Sequence, residues 1–367
     1  GVRPFLFSQV FDEEISQEAV YEHCRGSVCA SVNGFNACLL CYGQTGAGKT
    51  HTMFGESVAM GGNAGAVVSP TSGCVIRAIA ELFDASRALL EQSGVRTRLT
   101  AQYVQIYRDE VLCLKTGAAV ALREVSPGSP VLLQGAAEVE LETALDATEL
   151  LAAGEARKRY AETAMNQRSS RAHTVLALRL RQARGDLEVS SQLHLVDLAG
   201  SERLRKSRAQ GGRLLEAVGI NSSLMVLGQC IAARVEARAH VPYYESRLTL
   251  LLRSALGGGS RTSVVICCHK DVAHGDETLQ ALSFGERCAM VTNRAAAAMA
   301  FSGSGALEAI DGALAECAEQ LLRLEQRGKG RLPACQRLRS RYAALQQRRR
   351  ELAERFRSTS AGPRVDD

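Results

Sequence analysis

Read for its hydrophobic and polar positions, the chain alternates short apolar runs with helical stripes. Phe5-Leu6-Phe7-Ser8-Gln9-Val10-Phe11 predicts a strand, with a turn at Asp12. Ser16-Gln17-Glu18-Ala19-Val20-Tyr21 opens a helix with Ser16 as N-cap, its apolar spacing continuing through Val28 and stopping at Gly34. Ala37-Cys38-Leu39-Leu40-Cys41-Tyr42 is wholly apolar and short, the pattern of a buried strand. Residues 55–73, rich in Gly, Ser and Ala, read as a flexible surface loop. Val75, Ile76, Ile79, Leu82 and Phe83 give residues 74–90 a helical period, and 99–107 alternates as a strand. A helix over 147–161 and a polar loop over 166–172 precede two strands, 173–182 and 190–197, joined by the turn Arg184-Gly185-Asp186. Strands alternating with helices predict an α/β fold: a mostly parallel or mixed central sheet with helices on both faces.

The pattern changes after residue 300. Ser302-Gly303-Ser304-Gly305 reads as a short linker. Leu307, Ile310, Leu314, Cys317, Leu321 and Leu324 then recur at spacings of 3 and 4, a seam of about three heptads. Gly328, Gly330 and Pro333 break it, and Cys335, Leu338, Tyr342, Leu345, Leu352 and Phe356 form a second seam that Arg349 interrupts. Two arrangements fit: a parallel coiled coil joining two chains, or an antiparallel hairpin within one. The short break suits the hairpin. The expected division is a main domain over 1–294, an Ala/Gly/Ser-rich linker over 295–305, a helical appendage over 306–357 broken at 328–333, and a disordered tail over 358–367.

Composition narrows the picture further. The 367 residues are 46% hydrophobic, enough for a large core. The net charge of +5 is compatible with an acidic partner without requiring one. No apolar run is long enough for a membrane-spanning helix, and no signal-peptide pattern opens the chain. The 12 Cys lack a regular framework and read as reduced thiols; the C-x-x-C of Cys38 and Cys41 lies inside an apolar strand, where buried free Cys is expected.

The chemistry begins directly after that strand. Gly43-Gln44-Thr45-Gly46-Ala47-Gly48-Lys49-Thr50 fits the phosphate-loop pattern G-x-x-x-x-G-K-[ST] in full, in strand–loop–helix context. Loop N–H groups and the helix N-terminus can wrap a polyphosphate, with Lys49 on the β- and γ-phosphates and the Thr50 hydroxyl on Mg²⁺. A glycine-rich turn with an incidental Lys-Thr is the bland alternative. Farther on, Leu195-Val196-Asp197-Leu198-Ala199-Gly200 ends an apolar strand in an Asp, the second Mg²⁺ anchor of such sites, and Gly200 lets backbone approach the γ-phosphate. Alone, Asp197 would read as a turn cap; beside Lys49-Thr50 it reads as a metal ligand.

Five ordered blocks carry a resemblance: GQTGAGKTHTM (43–53), NQRSSRAH (166–173), DLAGSE (197–202), INSSL (220–224) and HVPYYESRLT (240–249). Together the chain resembles the kinesin motor domain over roughly residues 1–294. The resemblance implies a kinesin-type P-loop NTPase fold, ATP with Mg²⁺, a microtubule (tubulin) partner, and a place in the cytoplasm on the cytoskeleton. It implies that Gln44, Thr45, Gly46, Ala47, Gly48, Lys49 and Thr50 hold the phosphates, that His51 packs near adenine, and that Asn166, Ser169 and Ser170 form a first switch with Ser170 near Mg²⁺. Gly200 and Glu202 belong to a second switch with Asp197, and Arg171 and Glu202 match the pair that closes across the pocket with ATP bound.

Four departures from the family stand out. Ala172 replaces a usual Ser. The chain begins after the family's first strand. Val218, Ser222, Tyr244 and Leu250 replace usual basic residues of the track face. Asn293-Arg294-Ala295-Ala296-Ala297-Ala298 does not resemble the docking linker.

Between Leu195 and Arg261 ten Arg/Lys face five acids, densest at Arg205, Lys206, Arg208 and Arg213. Such a cluster is ordinarily a solvated loop; its place after the second switch favours the acidic track. Expected track contacts are Arg205, Lys206, Arg208, Arg213, His240, Tyr244, Arg247 and Arg253. Nucleic acid is not expected, since the cluster lacks aromatic platforms. The sequence thus predicts a microtubule-stimulated ATPase. Its rival is a non-motile, nucleotide-gated structural microtubule binder of the same fold.

Overall fold

The structure is a computed structural model that describes residues 3–56, 68–124, 130–165, 171–185, 187–202, 212–297, 301–326 and 333–360. In chain order it contains α1 (Gln17–Val32), β1 (Asn36–Gly43), α2 (Lys49–Phe54), α3 (Cys74–Ser93), β2 (Arg96–Tyr107), β3 (Glu110–Cys113), β4 (Ala121–Glu124), β5 (Val131–Gln134), β6 (Val139–Glu140) and α4 (Ala144–Met165). Then follow β7 (His173–Arg184), β8 (Leu187–Asp197), α5 (Gly212–Val235), α6 (Arg247–Leu251), β9 (Ser260–Cys267), α7 (Gly275–Ala289), β10 (Phe301–Ser302), α8 (Gly303–Gln326) and α9 (Pro333–Ser360). Contacts divide the chain into two compact units, Gly1–Arg181 with Ser190–Ala298, and Gln182–Val189 with Met299–Asp367.

In the first unit the sheet runs β3-β2-β7-β8-β1-β9, with β6 added on β2. The apolar run before the phosphate loop is the sheet's inner strand β1, parallel to both β8 and β9. Its alternation splits two cores. Leu39 and Cys41 pack with Met53, Ile79 and Leu82 from α2 and α3, whereas Cys38, Leu40 and Tyr42 pack with Leu227, Leu251 and Phe284 from α5, α6 and α7. Each fully buried Leu or Phe contributes about 1.5–3 kcal/mol, so β1 is fixed by both layers at once. The predicted mixed α/β architecture with helices on both faces is what forms.

Local expectations fared unevenly. Ser16 caps α1, accepting from Ala19 N–H at 3.2 Å, and the helix runs to Val32 before Gly34 turns with φ 82°. The strand expected over residues 5–11 does not form: Leu6 and Val10 are 83% and 75% exposed, and among the described residues this segment has no ladder partner. Alternation alone could not supply the neighbouring strand that a ladder requires. Conversely, β3 to β6 and β9 were not predicted; four of these five have only two to four residues, too few to show a period. The loop expected over 55–73 lies outside the described residues from 57 to 67. Cys38 and Cys41 are buried free thiols, and no cluster able to hold a metal through His, Cys, Asp or Glu occurs among the described residues.

In the second unit, Phe301 and Ser302 pair antiparallel with Glu188 and Leu187. Helix α8 begins at Gly303, so Ser302-Gly303-Ser304-Gly305 is ordered by a strand pair and a helix start rather than left as a linker. Helices α8 and α9 pack together, and Arg349 Nε and Nη2 donate to the two oxygens of Asp311 at 2.5 and 3.1 Å. A contact between residues 311 and 349 places the helices antiparallel about the 327–332 connection, the hairpin arrangement. Cys317 and Cys335 are buried, and Ile310, Leu314, Leu321, Leu338, Tyr342 and Leu345 are half-buried. The helix extends to Ser360, past the start of the expected tail, and 361–367 lie outside the described residues. No helix among the described residues is long and apolar enough to cross a membrane.

The fold generates a pH dependence at His194, buried on β8. Burial, with the Arg179 charge adding to it, pushes this imidazole down from 6.5 to about 4. The unfolded residue takes up its proton near 6.5 and the folded one near 4, so the associated stability is present above pH 6.5 and lost as pH falls toward 4. Thermal unfolding of His194→Gln should show a shallower loss across that window, the gap to wild type closing by about 1–3 kcal/mol. Parallel pH curves for the two proteins would exclude His194 as the source.

Candidate nucleotide site

The site lies where β1 and β8 end together. The parallel register sets Cys41 opposite Asp197, so the loop leaving β1 and the loop leaving β8 emerge side by side. Leu198 N–H donates to Cys41 O at 3.3 Å and Ser201 N–H to Gly43 O at 3.1 Å, extending the pairing past both strands. At Gly43 a Cβ would lie 2.1 Å from Cys267 O, so β9 approaches too closely for any side chain. Gly46 and Gly48 take φ of 80° and 97°, the left-handed region, and space is open around both. The result is a backbone concavity opening onto the first turn of α2.

Around it the predicted residues converge. Lys49 is buried and its Nζ donates to Gln44 O at 2.8 Å. Thr50 Oγ1 donates to Asp197 Oδ2 at 2.6 Å. The other oxygen, Asp197 Oδ1, is buried without a hydrogen-bond partner among the described residues, as is Gln44 Oε1. Burial raises the Asp197 pKa, while the Thr50 hydrogen bond and the charges of Lys49 and Lys158 oppose the rise. A hydroxyl and a carboxylate touching each other, with an orphaned buried oxygen beside a lysine, suit a hard divalent cation with an attached polyphosphate. The donor set fits Mg²⁺.

Glu202 has a specific partner on the loop: it accepts from Thr45 N–H at 2.9 Å through Oε2 and from Thr45 Oγ1 at 2.7 Å through Oε1. Gly200 lies beneath this pair. A Cβ there would sit 2.3 Å from both Glu202 Oε2 and Thr45 Oγ1, so a side chain at this position would displace the pair. The residue types were legible in the sequence, but this pairing was not, because nothing local relates positions 45 and 202. Arg171, the partner expected for Glu202, is half-buried at the start of the segment leading into β7. His51 is exposed, with its carbonyl accepting from Gln17 Nε2 at 2.8 Å. Asn166, Ser169 and Ser170 lie outside the described residues.

Ala172, the departure from a usual Ser, is buried with Tyr107 and Ala199. A methyl group fills that contact without a hydroxyl to satisfy. Sequence reasoning also passed over His173 and Ser223. His173 Nδ1 accepts from Ala199 N–H at 3.0 Å, and Nε2 lies 2.9 Å from Ser223 Oγ. Both residues occur within the quoted blocks, which was the available signal.

The expected track residues separate into groups. Arg205, Lys206 and Arg208 lie outside the described residues, and Arg213 is described only as part of the α5 backbone. His240 is exposed. Tyr244 is 65% exposed, yet its hydroxyl donates to Glu124 Oε2 at 2.8 Å. Arg253 Nη1 bonds Glu124 Oε1 at 2.5 Å, and Arg247 N–H donates to Asp109 Oδ1 at 2.6 Å. Arg253 is thus largely neutralised inside the fold, and Arg247, about half exposed, keeps more of its charge available.

Comparison with known proteins agrees with this geometry. The family model described as "Kinesin motor domain" matches residues 2–291. The Xenopus laevis "Chromosome-associated kinesin KIF4" is 35% identical over 304 residues, covering 80% of this chain and 24% of that protein. The Homo sapiens "Kinesin-like protein KIF7" is 37% identical over 313 residues, covering 80% and 22%. The chain therefore spans about a quarter of the length of these curated relatives. A solved structure of a fast kinesin aligns with a TM-score of 0.73 at 31% identity, covering 81% of this chain and 82% of its own. With the phosphate loop, the Asp197 strand end and a match across nearly all of the first unit, the chain belongs to the kinesin family through its motor domain.

Proposed function

We propose that this chain is a microtubule-stimulated ATPase that couples ATP hydrolysis to movement along, or force on, microtubules. The observation that carries the reading is the double fastening of the phosphate loop to the β8 end, Thr50 to Asp197 and Thr45 to Glu202. A bound polyphosphate has to be accommodated between these two segments, so nucleotide chemistry acts on the joint directly. In this reading Gln44 to Thr50 hold the phosphates, Thr50, Asp197 and Ser170 hold Mg²⁺, and the ion when bound neutralises charge on the phosphate oxygens.

The chain's own groups then supply position and charge. Lys49 moves from the Gln44 carbonyl to phosphate oxygens. Gly200 presents backbone N–H without side-chain obstruction. Glu202 leaves Thr45 and pairs with Arg171, closing the pocket over the terminal phosphate. A carboxylate–guanidinium pair shielded from bulk water is strong when bidentate and holds the attacking water in line. Ser169 and Asn166 complete the first switch. The partner is the acidic microtubule surface, met by the basic residues Arg205, Lys206 and Arg208 and by Arg213 at the start of α5.

Gliding of fluorescent microtubules over surface-held protein tests the reading. ATP-dependent gliding is expected. Tight binding with no movement and no stimulation of turnover would leave a static binder in its place.

Two variant series follow. Thr50→Asn and Asp197→Asn should each weaken Mg²⁺-dependent ATP binding by about tenfold or more, because an amide is a poorer Mg²⁺ ligand than a hydroxyl or a carboxylate. A magnesium titration at fixed ATP reads this, and superimposable wild-type and variant curves would remove both residues from the metal site.

Glu202→Ala and Arg171→Ala should bind ATP yet lose hydrolysis by about 10²–10³-fold, and the double variant should be hardly worse than either, since groups acting as a unit are not additive. Pre-steady-state phosphate release measured beside ATP binding decides. Multiplicative losses would reduce the pair to two independent contacts.

A further inference from the structure

Three sequence-distant segments meet at one buried imidazole. His173, the first residue of β7, is 2% exposed. Its Nδ1 accepts from the backbone N–H of Ala199, in the loop leaving β8. Its Nε2 lies 2.9 Å from the hydroxyl of Ser223, itself buried on α5. An Nδ1 that accepts carries no proton, so Nε2 carries it and donates to Ser223. The ring is neutral and its two faces of function are fixed: one holds a loop, the other a helix. Burial and the nearby Lys49 push its pKa down to about 3, which keeps the ring neutral at physiological pH, while the Ala199 N–H fixes the tautomer.

The two ends of this bridge differ in what they touch. Ala199 precedes Gly200, on which Thr45 and Glu202 close, and its neighbours Leu198 and Ser201 bond to Cys41 and Gly43 carbonyls. Segment 198–201 is therefore tied to the phosphate loop on one side and to His173 on the other. Ala172, adjacent to the histidine, packs on Ala199 and Tyr107, which leaves the loop little room to slide past β7. Ser223 lies mid-way along α5, the helix that follows the basic sequence over 203–211. A buried His–Ser bond is most often simply a satisfied core pair. Here, however, it joins a loop that borders the phosphate site to the helix that follows the basic residues Arg203, Arg205, Lys206 and Arg208.

We infer that His173 is a positioning residue that transmits displacement of the Ala199–Gly200 peptide to α5 through Ser223, coupling nucleotide state to microtubule affinity. This rests on the proposed function above. A shift of the peptide moves Nδ1, the rigid ring carries Nε2 with it, and Ser223 is the single hydroxyl that takes up the motion. Ser223→Ala cuts the helix end and keeps the loop end. His173→Asn keeps an acceptor near Ala199 N–H and lacks the reach to Ser223.

The test is the ratio of microtubule Kd values measured with ADP and with a non-hydrolysable ATP analogue, for the full chain. Wild type is expected to show a ratio of about tenfold or more, within the usual range of coupling between sites. Ser223→Ala and His173→Asn should each bring the ratio to within about twofold of unity, the double variant should be no different, and Ser223→Thr, which keeps the hydroxyl, should restore it. A purely structural role would lower thermal stability and shift both affinities together with the ratio intact, and that result overturns the inference. If Ser223→Ala does not fold, His173→Asn alone decides by the same ratio. A wild-type ratio near unity would instead overturn the nucleotide-gated reading, and the inference with it.

Discussion

The parallel pairing of β1 with β8 is the constraint on which the rest depends. Because Cys41 stands opposite Asp197, the phosphate loop and the loop after β8 leave the sheet at the same level. A slip of one residue would turn every side chain of β1 to the other face, and the strand is buried on both, so the two cores jointly fix the register. Only in that register can the Thr50 hydroxyl reach Asp197 at 2.6 Å and Glu202 reach Thr45. The site is therefore a consequence of strand packing before it is a matter of ligand chemistry.

From that joint the structure extends outward through few, directional contacts. Thr45 and Glu202 meet above Gly200, where a Cβ would collide with both side chains as they stand. His173 carries the other side of the same segment to Ser223 on α5. These are hydrogen bonds between elements far apart in sequence, each worth about 1 kcal/mol net, small enough to exchange partners during a cycle yet specific in geometry. The second unit is organised differently: its hairpin is held by a Cys- and Leu-rich seam and by the Arg349–Asp311 pair.

The sequence made the site residues legible because phosphate chemistry constrains residue type and spacing within one loop: Gly46, Gly48, Lys49 and Thr50 had to stand where they do. The inner strand β1 was equally clear from its unbroken apolar run. What was not legible were relations between loops. Glu202 was matched to Arg171 by resemblance, whereas in this structure its carboxylate lies on Thr45. Residues 5–11 alternated as a strand should, but a strand exists only with a neighbour, and Leu6 and Val10 remain exposed. The short strands β3 to β6 lacked enough residues to show any period. Arg253, expected on the track face, also pairs with Glu124 more than a hundred residues away, a relation that nothing local in the sequence announces.

In the proposed function, ATP acts on the joint between the phosphate loop and the β8 end. A crystal structure of this chain with Mg²⁺ and a non-hydrolysable ATP analogue tests it most directly. The predicted result is Thr50 and Asp197 both directed at the metal, with the Glu202 carboxylate released from Thr45 and paired with Arg171. An analogue bound with its terminal phosphate ordered while Glu202 still accepts from Thr45 N–H and Oγ1 would contradict that function for the joint.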